Sequence, residues 1–403
     1  MRVTLITSNV GSLFECDEKL HDAWIKTIMK KIHAAAADIV VINTQETGGK
    51  DFEHCAGQVE PLFKKLIEHL PEYEKQKVFV DLEWSQFDKF TALGQLILVK
   101  KMVTVEQYNF EDKTFYPVKD GLEIVAKALN NHPCVVNQKF PKSFRNGRWG
   151  RKGYLHTKWR INKKLFDFVN VHLFHDESNI AVVQDDPMIY SEDRKRALNY
   201  VIEELKRGEN GIVPYVFIFG DFNFRLHLPS LLERITLKSV RHNFEDDINL
   251  PHHGSMSNGL EANSLHPDPI KRSMSAIEFR DPSRVHEVDN GCILRIEKKK
   301  FHYIDHSQLL TSWRDYRPDD QEVDSFKDAL REFPVNFPPT YPWSEDPDTH
   351  ECLMNTRAPA WCDRILMNQG AFQLASSQNP EYGCIGQSVC IGDHKPVALS
   401  FSC

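Results

Sequence analysis

The chain has 403 residues, an apolar share of 41% and a formal net charge of −7 at pH 7. This apolar share allows a substantial buried core. The acidic balance disfavours a general nucleic-acid-binding protein, which needs a broad basic surface, but not an enzyme with positive charge in one cleft. Nine cysteines without metal-binding or paired spacing predict reduced thiols and a cytoplasmic protein, and we find no apolar run long enough to span a membrane.

The predicted elements alternate between apolar strands and amphipathic helices. In chain order they are strand 3–7, helix 20–37, strand 38–43, helix 61–70, strands 92–99 and 165–172, helix 194–206, and strands 213–219, 365–367 and 396–401. Strands that are apolar throughout are typical of sheets buried on both faces. The pattern therefore predicts an α/β fold in which sheets pack together and helices cover them on the outside.

Residues 241–290 depart from this pattern, because they are rich in His, Asn, Ser, Pro and Asp and show almost no apolar periodicity. We predict an insertion with a long mobile loop here, within a domain rather than at its boundary. The next charged run, at residues 297–300, could contact acidic lipid or substrate. We interpret it instead as the solvated face of a helix, which is the more common situation.

Residues 220–225 read GDFNFR and directly follow an apolar strand. In extended chain the side chains of Asp221 and Asn223 face the same side. Asp221 is then placed to orient or deprotonate a water, and Asn223 to donate to the oxygens of a phosphoryl group under attack. An Asx turn that caps the strand is the competing interpretation, but the flanking aromatics and the following arginine favour a site.

Two further strand ends carry polar side chains. Glu46 follows the strand at 38–43 and Asn9 follows the first strand. Their oxygens suit a hard cation such as Mg²⁺. Asn170 and His172 alternate in a buried strand and face the same side of it. Taken singly, such residues are often turn or core residues, so the hypothesis depends on the full set.

The last two motifs are PAWCDRIL at 359–366 and GDHKPV at 392–397. The imidazole of His394 has an ordinary pKa that allows both protonation states near neutrality, which suits a phosphoryl oxygen. Because adjacent side chains seldom pair well, we expect Asp363 to orient His394, which leaves Asp393 for a metal ion or its waters. We expect Arg364 to brace the site through a carboxylate.

Together these segments resemble the inositol polyphosphate 5-phosphatases, within the superfamily of Mg²⁺-dependent endonucleases, exonucleases and phosphatases. The resemblance spans nearly the whole chain, and PAWCDRIL is specific because the nucleases of the superfamily lack it. The NVHLFHD run at 170–176 is closest to the type I enzymes, which act on soluble inositol phosphates. The resemblance implies two mixed β-sheets packed as a sandwich with helices on both outer faces (α/β/β/α layers), in one catalytic domain over residues 1–403.

The resemblance also implies a role for each candidate residue. The catalytic set, which surrounds the scissile phosphate, is Asp221, Asn223, His172, His394, Asp363 and Asp393. In this set Asp221 activates the water, and Asn223 and His172 stabilise the transition state. The implied cofactor is Mg²⁺, held by Glu46 with Asn9 nearby. The candidate substrate contacts are Lys152, Tyr341, Arg357, Arg364 and Lys395.

The predicted reaction removes the 5-phosphate of inositol 1,4,5-trisphosphate, and also of the 1,3,4,5-tetrakisphosphate, and so ends calcium signalling. The alternatives are a 5-phosphatase of membrane phosphoinositides, a nuclease of the same superfamily, and a catalytically inactive inositol-phosphate-binding module. Pro342 and Asn355 stand where many lipid-cleaving relatives carry lysine. Which residues bind a 4-phosphate is therefore left open, and the candidates are Arg145, Arg148 and Lys158.

We expect small-molecule inositol phosphates as partners, no nucleic acid, and a monomer. Type I enzymes are expected to end in a prenylated CaaX box, whereas this chain ends at Cys403. The expected location is therefore the cytoplasm, with peripheral contact at the inner membrane surface if a lipidated tail is missing from this chain.

Overall fold

The computed structural model describes residues 1–15, 19–145, 149–207, 213–247, 272–286 and 288–403. The α-helices in these ranges are α1 (Lys19–Ala35), α2 (Phe52–Cys55), α3 (Val59–Glu68), α4 (Asn179–Gln184), α5 (Ser191–Arg207), α6 (Leu228–Ile235), α7 (His306–Thr311), α8 (Trp313–Tyr316) and α9 (Gln369–Ser376). Within the described ranges, each helix is too short or too polar to cross a membrane.

The β-strands of the described ranges form three sheets. In chain order they are β1 (Arg2–Asn9), β2 (Ile39–Gln45), β3 (Lys75–Val80), β4 (Gly94–Val99), β5 (Val105–Asn109), β6 (Thr114–Pro117), β7 (Gly121–Val125), β8 (Val136–Lys139), β9 (Gly153–Ile161), β10 (Lys164–His172), β11 (Tyr215–Asp221), β12 (Val240–Asp247), β13 (Arg272–Arg280), β14 (Cys292–Glu297), β15 (Lys300–Tyr303), β16 (Asp363–Met367), β17 (Glu381–Cys384) and β18 (Val397–Ser402).

The first two sheets are both mixed and form the centre of the molecule. The first has the order β17-β18-β1-β2-β4-β3-β7, with β1 parallel to β2 and antiparallel to β18. The second has the order β16-β11-β10-β9-β5-β6, with β8 paired to β9. Its central strands β10 and β11 are parallel, and their register sets His172 opposite Asp221. Antiparallel β16 then sets Asp363 opposite the same aspartate.

The two sheets pack face to face, and helices cover both outer faces. The core between the sheets is built from inward-facing apolar residues such as Leu5, Val41 and Phe217. On the outer side of the first sheet, α1 and α3 bury a second apolar cluster, and on the outer side of the second sheet α5 buries a third. Burial of these faces removes a large apolar area from water. The predicted α/β/β/α layering is confirmed.

The third sheet was not predicted. Strands β12, β13, β14 and β15 form it in antiparallel order, and β13 and nearly all of β12 lie in the range predicted to be an insertion with a long mobile loop. The prediction failed there because short strands in a small sheet carry too few alternating apolar residues to give a period. Residues 248–271 and residue 287 of that range lie outside the described residues, so the mobile loop stays a prediction.

The basic run at 297–300 is a hairpin turn between β14 and β15, and the predicted helix face is wrong. Two residues, Lys298 and Lys299, lie between the paired positions Glu297 and Lys300. A run of like charges carries no period of its own, so the sequence does not distinguish a turn from a helix here.

Arg364 on β16 has no exposure to solvent. Its Nη1 donates to Asp320 Oδ2 at 2.6 Å and its Nε to Glu332 Oε1 at 2.9 Å. Removal of the guanidinium would take from Glu332 its ion-pair partner in a low-dielectric environment and leave Asp320 with Arg317, whose Nη1 lies 3.1 Å from Asp320 Oδ2. The Arg364 clamp therefore ties β16 to the chain segment that contains Asp320 and Glu332.

We expect Arg364→Ala to lower the free energy of unfolding by about 3–5 kcal/mol, the usual cost of breaking a buried ion pair. The matched control is Arg207→Ala, which removes an arginine that is 73% exposed and paired with Glu204. An exposed pair contributes roughly 0–1 kcal/mol. Urea denaturation measures both, and equal losses in the two variants would contradict the assigned role of the clamp.

Candidate active site

The ends of four central strands bring the predicted site residues together. Asn9 ends β1, Glu46 follows β2, His172 ends β10 and Asp221 ends β11. Because β10 and β11 are parallel and adjacent, their polar ends meet at one edge of the sandwich. A cavity of about 190 Å³ opens there, lined by Asn9, Glu46, Lys50, Lys152, His175, Asp176, Asp221, Asn223, Arg225, Tyr341, Arg357, Asp393 and His394.

Asp221 lies at the floor of this cavity and is almost fully buried. Its Oδ2 accepts a hydrogen bond from Asn9 Nδ2 at 3.1 Å and lies 3.3 Å from His172 Nε2. Burial alone would raise the pKa of Asp221, but His394 and then His172 outweigh it and hold the pKa well below the usual range. The carboxylate is therefore ionised at neutral pH and is able to orient or deprotonate a water.

His394 is held between two carboxylates. Its Nδ1 lies 2.8 Å from Asp363 Oδ2, and its Nε2 lies 4.0 Å from Asp221 Oδ2. Burial opposes protonation, but Asp363 and then Asp221 raise the pKa of His394 to about 10. The ring of Tyr341 packs against the imidazole at 4.6 Å between centroids. The structure thus places Asp363, rather than the neighbouring Asp393, as the partner that orients His394.

His172 forms the other flank of Asp221. Its Nε2 is hydrogen-bonded to Lys152 Nζ and lies 3.7 Å from Glu46 Oε1. Burial lowers the pKa of Lys152 to about 8, with Glu46 and Asp221 acting in the opposite direction. Burial and then the charge of Lys152 also lower the pKa of His172. The Lys152–His172 pair therefore contributes one positive charge, on Lys152, and one neutral imidazole, that of His172.

Glu46 and Asn9 face a common space that fits a hard cation. A Cβ on Gly11 would lie 2.8 Å from Glu46 Oε2 and 3.4 Å from Asn9 Oδ1, so the glycine keeps this cradle open. Burial opposes ionisation, but His172 and then Lys152 and Arg151 lower the pKa of Glu46. An ionised carboxylate beside an amide oxygen is the kind of donor set that Mg²⁺ prefers.

Other acidic side chains also lie at the cavity. Asp393 lines it and accepts a hydrogen bond from Ser12 Oγ at 3.0 Å, and burial raises its pKa. Ligand atoms of Asp221, Asp363 and His394 lie within 4.8 Å of one another. Because His394 Nδ1 is engaged by Asp363 Oδ2 at 2.8 Å, we interpret this cluster as a hydrogen-bonded relay, and Glu46 and Asn9 stay the candidate cation ligands.

Positive charge also lines the outer part of the cavity. Arg225 Nη2 donates to Asn223 Oδ1 at 2.7 Å, and its guanidinium lies 4.7 Å from the ring centre of Tyr341. Its Nε and Nη1 are buried without a hydrogen-bond partner. Arg357 lies beside it and donates to the carbonyl of Asp176 at 3.2 Å. Guanidinium groups in such a position suit anionic oxygens, which they bind by charge-assisted hydrogen bonds.

Four cavity residues were missed by the sequence analysis: Lys50, His175, Asp176 and Arg225. Arg225 ends the GDFNFR motif, and His175 and Asp176 end the NVHLFHD run, so their positions within these motifs were the available signal. Lys50 gave no distinctive signal. Burial, and then the charges of Lys152 and Arg145, hold the pKa of His175 far below its usual value, so its imidazole is neutral.

Two predicted substrate contacts lie outside the cavity. Arg364 is held by Asp320 and Glu332, which agrees with the expected bracing role and corrects its assignment as a substrate contact. Lys395 is fully buried and donates to the carbonyl of Val389 at 2.6 Å, so it too is corrected. Lys395 therefore points into the protein interior, whereas His394 and Asp393 line the cavity.

The candidates for a 4-phosphate are not brought to the cavity as a set. Arg145 Nη2 donates to the carbonyl of His175 at 2.8 Å and so supports the cavity wall from behind. Lys158 Nζ lies 3.7 Å from Asp167 Oδ2, and Lys158 lines a different cavity. Asp167 precedes His172 on the same strand, β10. Arg148 lies outside the described residues.

Comparison with known proteins gives the family. A family model described as endonuclease/exonuclease/phosphatase family 2 matches residues 7–258 and 294–400. A Caenorhabditis elegans protein named probable type I inositol 1,4,5-trisphosphate 5-phosphatase is 46% identical, covering 99% of this chain and 98% of that protein. The Rattus norvegicus inositol polyphosphate-5-phosphatase A is 34% identical, covering 99% of this chain and 92% of that protein.

A solved structure supports the fold. The inositol polyphosphate 5-phosphatase domain of spsynaptojanin, in complex with inositol (1,4)-bisphosphate and a calcium ion, superimposes with a TM-score of 0.51 at 15% identity. The match covers 100% of this chain and 83% of that chain. The full-length relatives, the family match and the shared fold agree with one another. This chain therefore belongs to the inositol polyphosphate 5-phosphatases, within endonuclease/exonuclease/phosphatase family 2.

Proposed function

We propose that this chain is a Mg²⁺-dependent phosphomonoester hydrolase that removes the 5-phosphate of soluble inositol polyphosphates. The observation that carries the proposal is the ionised Asp221 carboxylate, held between His172 and His394 at the floor of a cavity with cations along its wall. Its substrates are inositol 1,4,5-trisphosphate and the 1,3,4,5-tetrakisphosphate, and its role is to end calcium signalling. The C. elegans relative, whose name contains the trisphosphate, supports this choice.

The chain's own residues supply most of the chemistry. Asp221 orients the attacking water and takes its proton, because its low pKa keeps it ionised beside the donor Asn9 Nδ2 and the His394 imidazolium. The His394 imidazolium and the Lys152 ammonium donate to non-bridging oxygens, where negative charge gathers in phosphoryl transfer. Mg²⁺ held by Glu46 and Asn9 would add charge stabilisation at the phosphoryl oxygens.

Asn223 is locked in one orientation for this reaction. Its Nδ2 donates to the carbonyl of Leu173 at 3.1 Å, while its Oδ1 accepts from Arg225. Its backbone has a positive φ of 52°, and its backbone N–H donates to Asp221 Oδ1 at 2.8 Å. The backbone contact closes the Asx turn that was the competing interpretation of the motif, in place of the expected extended chain. Because Asp221 and Asn223 both line the cavity, the turn positions the two residues at the site.

The proposal extends to the setting of the enzyme. We infer a cytoplasmic monomer with peripheral contact at the inner membrane surface and no nucleic-acid partner. The neutral Pro342 and Asn355, at positions where many lipid-cleaving relatives carry lysine, favour a soluble substrate over a membrane phosphoinositide.

Asp221→Asn is expected to lower kcat by about 10²–10⁴-fold, the usual share of a general base. Substrate affinity and the midpoint of thermal unfolding should change little, because the amide keeps the shape of the carboxylate. Malachite-green phosphate release, calorimetric titration with the trisphosphate and differential scanning calorimetry measure the three quantities. Asp324→Asn, on an aspartate that is 50% exposed, is the control. Wild-type kcat in the Asp221 variant would disprove the role.

Asp363→Asn tests the raised pKa of His394. Asp363 is the largest factor that raises this pKa, so the variant should lose the imidazolium at a lower pH. The pKa of His394 should be lower by about 1–2 units in the variant, as measured by the pH dependence of its imidazole NMR signals. The kcat profile alone does not isolate this group, because the pKa of Lys152 is about 8 and its ammonium loses its proton first. A His394 titration that is unchanged between pH 7 and 11 would contradict the pairing.

The substrate and metal assignments are tested together by phosphate release from a panel. We expect turnover of the two soluble inositol phosphates, slower turnover of phosphatidylinositol 4,5-bisphosphate, and no cleavage of abasic-site DNA. Excess EDTA should abolish release, and added Mg²⁺ should restore it, because Glu46 and Asn9 offer only oxygen ligands. Full activity in EDTA, or a preference for the lipid, would overturn the corresponding part of the proposal.

A further inference from the structure

The lysine turn, defined here as Lys298 and Lys299 between β14 and β15, stands at the rim of the catalytic cavity. The carbonyl of Lys298 accepts hydrogen bonds from the backbone N–H of Asn179 at 3.0 Å and from Arg357 Nη1 at 3.2 Å. Arg357 also lines the cavity. The side chain of Arg357 therefore connects the lysine turn to the catalytic cavity.

The turn is held in place from both of its strands. Asn179 Nδ2 donates to the carbonyl of Lys300 at 3.1 Å and to the carbonyl of Thr356 at 3.1 Å. The backbone N–H of Phe301 donates to the carbonyl of Asn355 at 2.7 Å. These bonds fix the hairpin backbone to the segment that precedes the PAWCDRIL motif.

The charge of the lysine turn is not compensated by the protein. Both side chains are exposed, and within the described ranges neither makes an ion pair. The neighbouring Glu297 is engaged by Arg295, whose Nε donates to it at 2.6 Å. In a chain with a net charge of −7, two such lysines beside a cationic cavity extend the positive potential outward.

We propose that the lysine turn is an anion-binding arm that captures the non-scissile phosphates of an inositol headgroup and guides the headgroup into the cavity. Each ammonium carries three donors on a flexible stem, which suits phosphates that arrive in varied orientations. The inference rests on the proposed function for the identity of the substrate. The chemistry recognised is a phosphate monoester on an inositol ring, whether the ring is free or linked to a lipid.

The test compares two double variants that remove the same charge from two hairpin turns. Lys298→Gln with Lys299→Gln removes the arm. Lys163→Gln with Lys164→Gln is the control, because that turn joins β9 to β10 at the end of β10 opposite to His172. Lys163 is exposed and Lys164 half-buried. Both variants should unfold at the wild-type temperature.

With free inositol 1,4,5-trisphosphate at low salt, the arm variant should lose about 10-fold in kcat/KM, the lower end of electrostatic steering, with kcat within about 2-fold of wild type. The loss should shrink near 1 M salt, where the Debye length is only about 3 Å. The control should match wild type at every salt concentration. An unchanged kcat/KM in the arm variant, or an equal loss in the control, would overturn the proposal.

Two further experiments distinguish a free from a lipid-linked inositol phosphate, and a failure of this proposal from a failure of the proposed function. Phosphatidylinositol 4,5-bisphosphate in phosphatidylcholine vesicles should show a loss as well, and a loss on vesicles alone would overturn the proposal in favour of a membrane contact. Calorimetric binding of the trisphosphate to Asp221→Asn, with and without the arm, does not depend on turnover. If the wild type releases no phosphate but removal of the arm still weakens binding about 10-fold, the arm stands and the proposed reaction fails.

Discussion

A carboxylate that is almost completely removed from water needs hydrogen bonds and positive charge around it, and Asp221 imposes this requirement on the whole site. The parallel register of β10 and β11 brings His172 beside it, and the antiparallel partner β16 brings Asp363, which holds His394 on the other side. The two imidazoles differ in protonation because their neighbours differ. His172 faces Lys152, whereas His394 faces two carboxylates.

The geometry of this edge depends on polar contacts between the two sheets. Asn43 Nδ2 donates to the carbonyl of Phe219 at 2.9 Å, and Gln95 Nε2 donates to Asn43 Oδ1 at 2.9 Å. Asn170 Nδ2 donates to the carbonyls of Thr44 and Gly94, which belong to the opposite sheet. Apolar packing alone would allow the two sheets to slide against each other, whereas satisfied buried hydrogen bonds between them define one alignment of the sheets. The network therefore aligns β1 and β2, with Asn9 and Glu46, against β10 and β11.

Charge is distributed unevenly over the molecule. The chain is acidic as a whole, yet Lys152, Arg225 and Arg357 converge on one cavity, and the lysine turn lies at its rim. Positive potential inside a low-dielectric cleft attracts a small polyanion strongly, while the acidic remainder limits general attraction to nucleic acid. A small, highly phosphorylated substrate is consistent with both features. The same arrangement explains why the net charge disfavours a general nucleic-acid-binding protein but not an enzyme that acts on a phosphorylated small molecule.

The sequence by itself determined the layered α/β/β/α fold, the family and most of the polar residues at the strand ends, because apolar runs and short motifs are local features of the chain. Only the tertiary structure decided which of those residues share a cavity. It excluded Arg364 and Lys395, added Arg225, showed Asn170 to be a bridge between sheets, and turned an expected loop and helix face into a four-stranded sheet with a basic hairpin. Strand register and the direction of each side chain depend on partners distant in sequence, and no local pattern contains them.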